Sequence, residues 1–382
     1  MRFFSTSLAL ITLATSAIAA VTPIRSIETY KGETTGRHII QLKQGASKDS
    51  VLANARLSKE AITHDWDIIN GFAGTFSDDI LNQLRSNPDV ESVSEDGIMH
   101  AFTTQTNAPW GIARLSSSTR LSNQDTSYTY TATGSGVDAY VVDTGVRTTH
   151  VTFGGRARWG ATFGGYANAD GNGHGTHCAG TIGGAQYGVS KGVSIIAVKV
   201  LSDAGSGAIA DIVSGLNYVK SSAASSGRPS IVSMSLGGSA NSALDSAVAS
   251  LTAAGIHVVV AAGNSATDAG STSPARAPSA ITVGATTIAD AAASFSNYGS
   301  VLDIWAPGQN IISSWATSDT ATNNISGTSM ATPHVAGLVA YYISRDGNLS
   351  PAAMSAKIQS TSLKNVISGV PAGTVNYLAH IA

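Results

Sequence analysis

The sequence predicts an α/β protein: a parallel sheet covered by helices on both faces, preceded by a small α+β unit. Three observations carry this expectation. Beyond Trp110, short apolar strands alternate with helical stretches, the pattern of a parallel sheet buried on both faces. Charge density changes abruptly near residue 100. Finally, Asp143 and Asn264 each stand where a strand runs into a glycine turn, the place where open α/β sheets build their sites.

Residues 1–20 have the layout of an export signal. Arg2 supplies the positive start, residues 8–18 the apolar stretch, and Ala17-Ile18-Ala19-Ala20 a small-residue cleavage site after Ala19 or Ala20. Thr12, Thr15 and Ser16 interrupt the apolar run, which is too short for a membrane anchor, and no later stretch qualifies as a span. The mature chain is expected to be secreted and extracellular.

Residues 21–102 form the first expected unit. Between Val21 and His100 stand 8 basic and 12 acidic residues, a dense mixture with a balance of −4. From Ala101 onward 13 basic and 12 acidic residues are spread over a far longer stretch, a balance of +1, and glutamate is absent. Such a break marks separate units. Strands are expected at 37–42, 62–69, 72–76 and 90–94, with helices at 48–57 and 79–85 and a turn at Asn70-Gly71. The order β-α-β-β-α-β suggests a ferredoxin-like fold.

Residues 103–382 form the second. Its strands are expected at 137–142, 195–201, 231–234, 257–262, 280–285 and 301–305, with helices at 209–220 and 242–254. A further helix runs through Leu338, Val339, Tyr341, Tyr342 and Ile343; apolar or small residues fill nearly every side of it, so it should be buried. Pro333 is tolerated only near a helix start, which places that start at about 328–330.

At 382 residues the chain can build a large core beside a smaller one. A formal net charge of −2 argues against nucleic acid or an anionic membrane as the main partner, and a monomer is expected. The single cysteine, Cys178, excludes an internal disulfide framework. Core size and bound metal are left to supply stability.

Four motifs carry chemistry: Asp143-Thr144-Gly145, Asn172-Gly173-His174-Gly175-Thr176-His177, Ala261-Ala262-Gly263-Asn264 and Gly327-Thr328-Ser329-Met330-Ala331-Thr332-Pro333-His334. A serine hydroxyl is a poor nucleophile and needs a base within hydrogen-bond reach. Ser329 sits at the positive mouth of a buried helix, with its own N–H free to donate. Taken singly, these sites read as an N-cap serine, a turn aspartate and a turn asparagine. Their conjunction, in the order Asp, His, Asn, Ser, is what points to catalysis.

On these motifs the chain resembles the subtilisin-like serine proteases, in particular the secreted fungal proteinase K-like branch. The resemblance spans everything after the export signal and is firmest from Pro109 to Ala340. It implies a serine endopeptidase in which His174 takes the proton of Ser329, Asp143 orients His174, and Asn264 with the Ser329 N–H holds the oxyanion. Residues 21–102 look like the inhibitory propeptide of such zymogens, cut off after His100 or Phe102. Gly205-Ser206-Gly207 and Ser235-Leu236-Gly237 would pair with the backbone of an extended protein substrate. By the same resemblance Gly238, Ala261, Ala262 and Gly263 line a roomy apolar pocket for the residue before the scissile bond, and Ile209 borders another. Broad specificity with an aromatic and aliphatic preference follows. A calcium ion is implied at the Asp303 carboxylate with the carbonyls of Pro278 and Ala280. A second calcium site near the C-terminus is not expected, because Lys364-Asn365-Val366 supplies no carboxylate there.

The alternative is a catalytically silent relative that only binds peptides, against which stand four filled catalytic positions. His174 and His177 lack the His-Glu-x-x-His form of a zinc protease. Gly327-Thr328-Ser329-Met330-Ala331 is not Gly-x-Ser-x-Gly, and the residue order is wrong for an α/β-hydrolase esterase. Cys178 is expected to be a buried small hydrophobe and His177 packed structure beside the base. Asn324-Ile325-Ser326 and Asn348-Leu349-Ser350 are acceptor sequences for N-glycosylation.

Overall fold

The computed structural model describes residues 24–30, 34–98, 103–122 and 126–381. The export signal and the two expected cut positions lie outside the described residues. The chain divides into two compact units, Met1–Met99 and His100–Ala382, close to the change in composition.

The first unit contains β1 (Ile27–Glu28), β2 (Thr34–Leu42), α1 (Lys48–Asn54), β3 (Ile62–Trp66), β4 (Gly71–Gly74), α2 (Asp78–Ser86) and β5 (Val90–Gly97). Its sheet runs β1-β5-β2-β4-β3. The last four are antiparallel neighbours in the order of a ferredoxin-like β-α-β-β-α-β unit, and β1 adds an unforeseen parallel edge. One face of the sheet buries Ile40, Phe72 and Val93 beneath Val51 of α1 and Leu84 of α2. The strand expected to reach residue 69 stops at Trp66. A turn begins there instead, with the Asn70 N–H donating to the Asp67 carbonyl at 3.2 Å.

The second unit opens with β6 (Thr103–Gln105), α3 (Trp110–Ser116), β7 (Tyr128–Tyr130), β8 (Asp138–Asp143), β9 (Ala157–Thr162), α4 (His174–Gly183) and β10 (Ser194–Lys199). It continues through α5 (Ile209–Ser226), β11 (Ser230–Met234), β12 (Gly238–Ser239), α6 (Ser242–Ala253), β13 (His257–Ala261), β14 (Thr272–Ser273) and β15 (Ile281–Thr286). Last come β16 (Ile304–Pro307), β17 (Ile311–Ser314), β18 (Thr322–Ile325), α7 (Thr328–Asp346), α8 (Pro351–Thr361), β19 (Leu363–Lys364) and β20 (Tyr377–Leu378).

Nine strands form one sheet in the order β19-β20-β16-β15-β13-β11-β8-β10-β9, and only β19 runs antiparallel to its neighbour. Side chains alternate between two buried faces: Ala139 and Val141 pack under α4 and α7, Tyr140 and Val142 under α5 and α6. Strand order reverses around β8, with β10 on one side and β11 on the other, so the switch point of the sheet lies at Asp143. Helix α7 crosses the centre of this layer. Every one of its residues from Thr328 to Ile343 is buried except Ser329. The strand expected at 301–305 starts only at Ile304, because Val301 and Leu302 lie in a turn closed by Leu302 N–H on the Gly299 carbonyl. Among the described residues no helix is long and apolar enough to cross a membrane.

Candidate active site

Asp143 closes β8 with no exposed surface. Its Oδ1 accepts the Thr144 N–H and the His174 Nδ1–H, each at 2.7 Å. That second bond fixes the tautomer and leaves the His174 Nε2 lone pair available. Oδ2 is buried with no hydrogen-bond partner among the described residues. His174 opens α4, and the glycines flanking it have separate reasons. Gly173 caps the helix at φ 106°, where a side chain would also strike Trp315; Gly175 presses on the Gly145 carbonyl and leaves no room for a Cβ. Burial pulls the His174 pKa down, but the charge of Asp143 and its hydrogen bond, aided by the charge of Asp170, outweigh this and leave it raised.

Ser329 stands in the first turn of α7, and Pro333 explains its surroundings. Proline has no N–H to give the carbonyl four residues earlier, which is that of Ser329. Ser235 Oγ donates to that carbonyl at 2.8 Å and Cys178 Sγ at 3.4 Å. Cys178 lies one turn beyond His174 on α4, so His174 and Ser329 are held across one helix contact. The thiol is fully buried and its pKa lies well above the ordinary value, chiefly by desolvation, which makes it a packing group. The Ser329 hydroxyl itself donates to the Ser235 carbonyl at 3.1 Å, not to His174. His177, three residues beyond His174, is buried, bonded to the Ile311 carbonyl at 3.0 Å, and depressed to a pKa of about 4 by desolvation.

Asn264 is exposed just past β13. Its Oδ1 accepts the Thr328 N–H at 2.7 Å and the Thr328 hydroxyl at 2.9 Å. A backbone N–H can only donate, so the amide oxygen must face Thr328 and Nδ2 turns outward as a donor. Thr328 Oγ1 in turn accepts the Gly263 N–H at 3.1 Å, tying the asparagine turn to the start of α7. Sequence reasoning missed Thr328; the only signal was its place beside the serine.

A cavity of about 400 Å³ brings together His174, both expected backbone segments at 205–207 and 235–237, and Gly238 and Ile209. Leu201, Ile212 and Leu244, not foreseen, supply its apolar wall. Ala261, Ala262 and Gly263 are not among the residues that line it. The first two are buried: Ala261 ends the central strand β13, and Ala262, just past it, is 0% exposed and packs in a cluster with Leu302 and Trp305. Elsewhere in the same unit, Asp303 Oδ2 accepts the Thr282 N–H at 2.8 Å and Oδ1 the Gln359 amide at 3.0 Å. Pro278 is exposed and Ala280 buried.

Ser329 and Asn264 are not among the residues that line the cleft, but the Ser329 hydroxyl donates to the carbonyl of Ser235 in the cleft wall; an oriented imidazole and such a helix-mouth alcohol are the parts of a serine hydrolase. Residues 134–376 match the model of the subtilase family and residues 37–102 that of the peptidase inhibitor I9 family. An alkaline serine protease of Corniculantispora psalliotae is 47% identical over 90% of this chain and 89% of its own. A cuticle-degrading protease of Metarhizium anisopliae is 44% identical over 90% and 89%. Among solved structures, a cold adapted subtilisin-like serine proteinase superposes with a TM-score of 0.68 at 46% identity, covering 72% of this chain and 99% of that one. The chain belongs to the subtilase family and is a serine endopeptidase with an I9 propeptide domain.

Proposed function

We propose that this is a secreted endopeptidase of broad specificity, made as a self-cleaving zymogen, with Asp143, His174 and Ser329 as its catalytic triad and Asn264 as an oxyanion donor. The observation that carries the assignment is the 2.7 Å bond from His174 Nδ1 to a buried carboxylate, with Ser329 the one side chain of the buried α7 segment left accessible. Substrate enters as an added strand against residues 205–207 and 235–237. The Ser235 carbonyl, which accepts the Ser329 hydroxyl, is a substrate acceptor in that pairing, so binding releases the hydroxyl toward His174. Ser329 Oγ then attacks the scissile carbonyl carbon while His174 Nε2 takes its proton. The oxyanion is held by Asn264 Nδ2 and the Ser329 N–H, and His174 returns the proton to the leaving amine. Water completes the second half with the same base.

Residues 21–102 are proposed as the inhibitory segment and 103–382 as the catalytic domain. Strand β6 begins at Thr103 and pairs with β7 inside the second unit, which supports a cut between His100 and Thr103. The silent alternative has no observation in its favour.

Among the residues lining the cleft there is no carboxylate, and Leu201, Ile212 and Leu244 make it apolar. Profiling the mature protein on a peptide library should show cleavage after many residues, with aromatic and aliphatic side chains preferred. A strict requirement for Lys or Arg would refute this specificity.

Asp303 fits a cation. Burial raises its pKa to about 6, opposed in part by the Thr282 N–H, and among the described residues no cationic side chain pairs with it. A carboxylate raised in this way costs the fold roughly 2–3 kcal/mol once it ionises, above about pH 6. Calcium held by Asp303 with the Pro278 and Ala280 carbonyls would remove that cost and bind only the folded form. Chelation is therefore expected to lower the melting temperature by roughly 5 °C at pH 8. At pH 5, where Asp303 is protonated, it should do far less. An unchanged melting temperature at pH 8 would eliminate the site.

A further inference from the structure

We propose that Asp170 is a positioning residue of this active site, the acceptor that joins the turn bearing Asp143 to the helix bearing His174. The proposal rests on the reading of His174 as general base. Asp170 is nearly buried and lies four residues before His174, outside both elements. Its Oδ1 accepts the Thr144 hydroxyl at 2.9 Å, the Asn172 N–H at 3.1 Å and the Gly173 N–H at 2.8 Å. Its Oδ2 accepts the Thr176 N–H at 3.0 Å and the Thr176 hydroxyl at 2.5 Å.

The need for such an acceptor arises at Gly173. A helix start leaves its first N–H groups without partners, and an N-cap side chain normally supplies one. Gly173 has no side chain and makes no capping bond. Asp170 takes over that task from outside the helix. It also reaches Thr144, whose N–H holds Asp143 Oδ1 on the other side. One carboxylate thus sets the separation between the two residues whose 2.7 Å bond orients the base.

The polarity of this arrangement has a single sense. Thr144 Oγ1 already accepts the Gly175 N–H at 3.0 Å, and Thr176 Oγ1 the Arg147 N–H at 2.8 Å, so both hydroxyl protons point at Asp170. With three backbone N–H groups, five donors converge on two oxygens. Only a group that donates nothing satisfies them. An asparagine of the same shape would aim an N–H₂ at two or three donors.

The charge of Asp170 also acts on His174. The groups around the imidazole are Asp143 on β8, His177 and Cys178 on α4, Asp170 on the connecting loop, and Lys199 on β10, whose Nζ bonds the Thr144 carbonyl and Asp203. His177 and Cys178 remain neutral near pH 7, one pushed down to about 4 and the other well up.

The test compares the mature wild-type protein with Asp170→Asn, Asp170→Glu and His174→Ala on one chromogenic peptide across pH. Asp170→Asn should lower kcat at least tenfold with KM within about twofold, and move the acid limb of kcat/KM down by about half a unit to one unit. Asp170→Glu keeps the charge but misplaces it; kcat should fall while the acid limb stays. A purely structural cap would lower the melting temperature and leave the limb where it is, and that result for Asp170→Asn overturns the proposal. Should Asp170→Asn not be recovered folded, Asp170→Glu decides: wild-type kcat refutes positioning, a loss at constant limb supports it. His174→Ala separates the two readings. If it stays active, the assignment of the base fails; if it is inactive while Asp170→Asn matches wild type, only this proposal fails.

Discussion

The chain carrying Ser329→Ala is expected to accumulate with its first unit still attached, uncut between His100 and Thr103. Its peptide hydrolysis should fall about 10⁶-fold, the loss known for the nucleophile of subtilisin, a member of this same family. The size follows from the chemistry: without an attacking oxygen only the oxyanion donors and the binding cleft remain. Fold should be nearly untouched. The substitution removes one hydroxyl that donates to the Ser235 carbonyl, worth about 1 kcal/mol, and alanine is the better helix former. The surrounding helix gives its own reason to trust this separation, since Thr328 and Met330 to Ile343 carry the packing and Ser329 does not. Intact mass of the product, read beside its melting curve, checks both halves. The same cut appearing in the alanine variant at wild-type rate would remove Ser329 from the nucleophile's role.

Much of this site could be read in the sequence, because its parts lie where local chemistry is loud. Asp143 ends a strand of β-branched residues, and His174 stands between glycines whose necessity is steric. An all-round apolar helix has to be inside, so the one hydroxyl at its mouth stood out. What escaped was set by tertiary context. Strand β9 is a half-buried edge containing Arg158 and Gly160 and shows no apolar run, so periodicity passed over it. The same holds for α3 and α8, short helices whose amphipathic signal is faint. Ala262 is small, which suggested a roomy wall, but smallness does not reveal that it packs in a cluster with Leu302 and Trp305. Thr328 and Asp170 work through hydrogen bonds to residues far along the chain or across a turn, and a threonine or aspartate in a loop carries no mark of such a partner. Pro333 gave half its meaning. Its place near the helix start was legible; that it frees the Ser329 carbonyl for Ser235 was not.

A second large effect is expected from the Asp143–His174 pair. Activity should fall tenfold per pH unit on the acid side, with a midpoint above 6.5, because only neutral imidazole can take the Ser329 proton and Asp143 holds the charged form. The sign of the accompanying stability change is opposite. A histidine whose pKa is raised on folding contributes stability that is full below its unfolded pKa and is lost as pH rises through the folded one. Acid therefore strengthens this ion pair while it silences the enzyme, and loss of activity below pH 6 should be fully reversible on return to pH 8. Asp143→Asn should remove both features. Because Oδ1 alone faces both the Thr144 N–H and His174, an amide either keeps its oxygen there and buries an unpaired N–H₂ at the Oδ2 position, or turns N–H₂ to His174 and forces the other tautomer, which puts a proton on Nε2 where a lone pair is needed; either way the charge that holds the imidazolium is gone. A loss of about 10⁴-fold is expected, the size found for this change in a serine protease of unrelated fold. The titration itself can be followed without turnover, by NMR of the His174 ring in the uncut Ser329→Ala chain. There the pKa should drop below its Asp143 value once Asp143→Asn is added. A rate flat down to pH 4, or a His174 pKa indifferent to Asp143, would leave the base of this enzyme to be sought elsewhere.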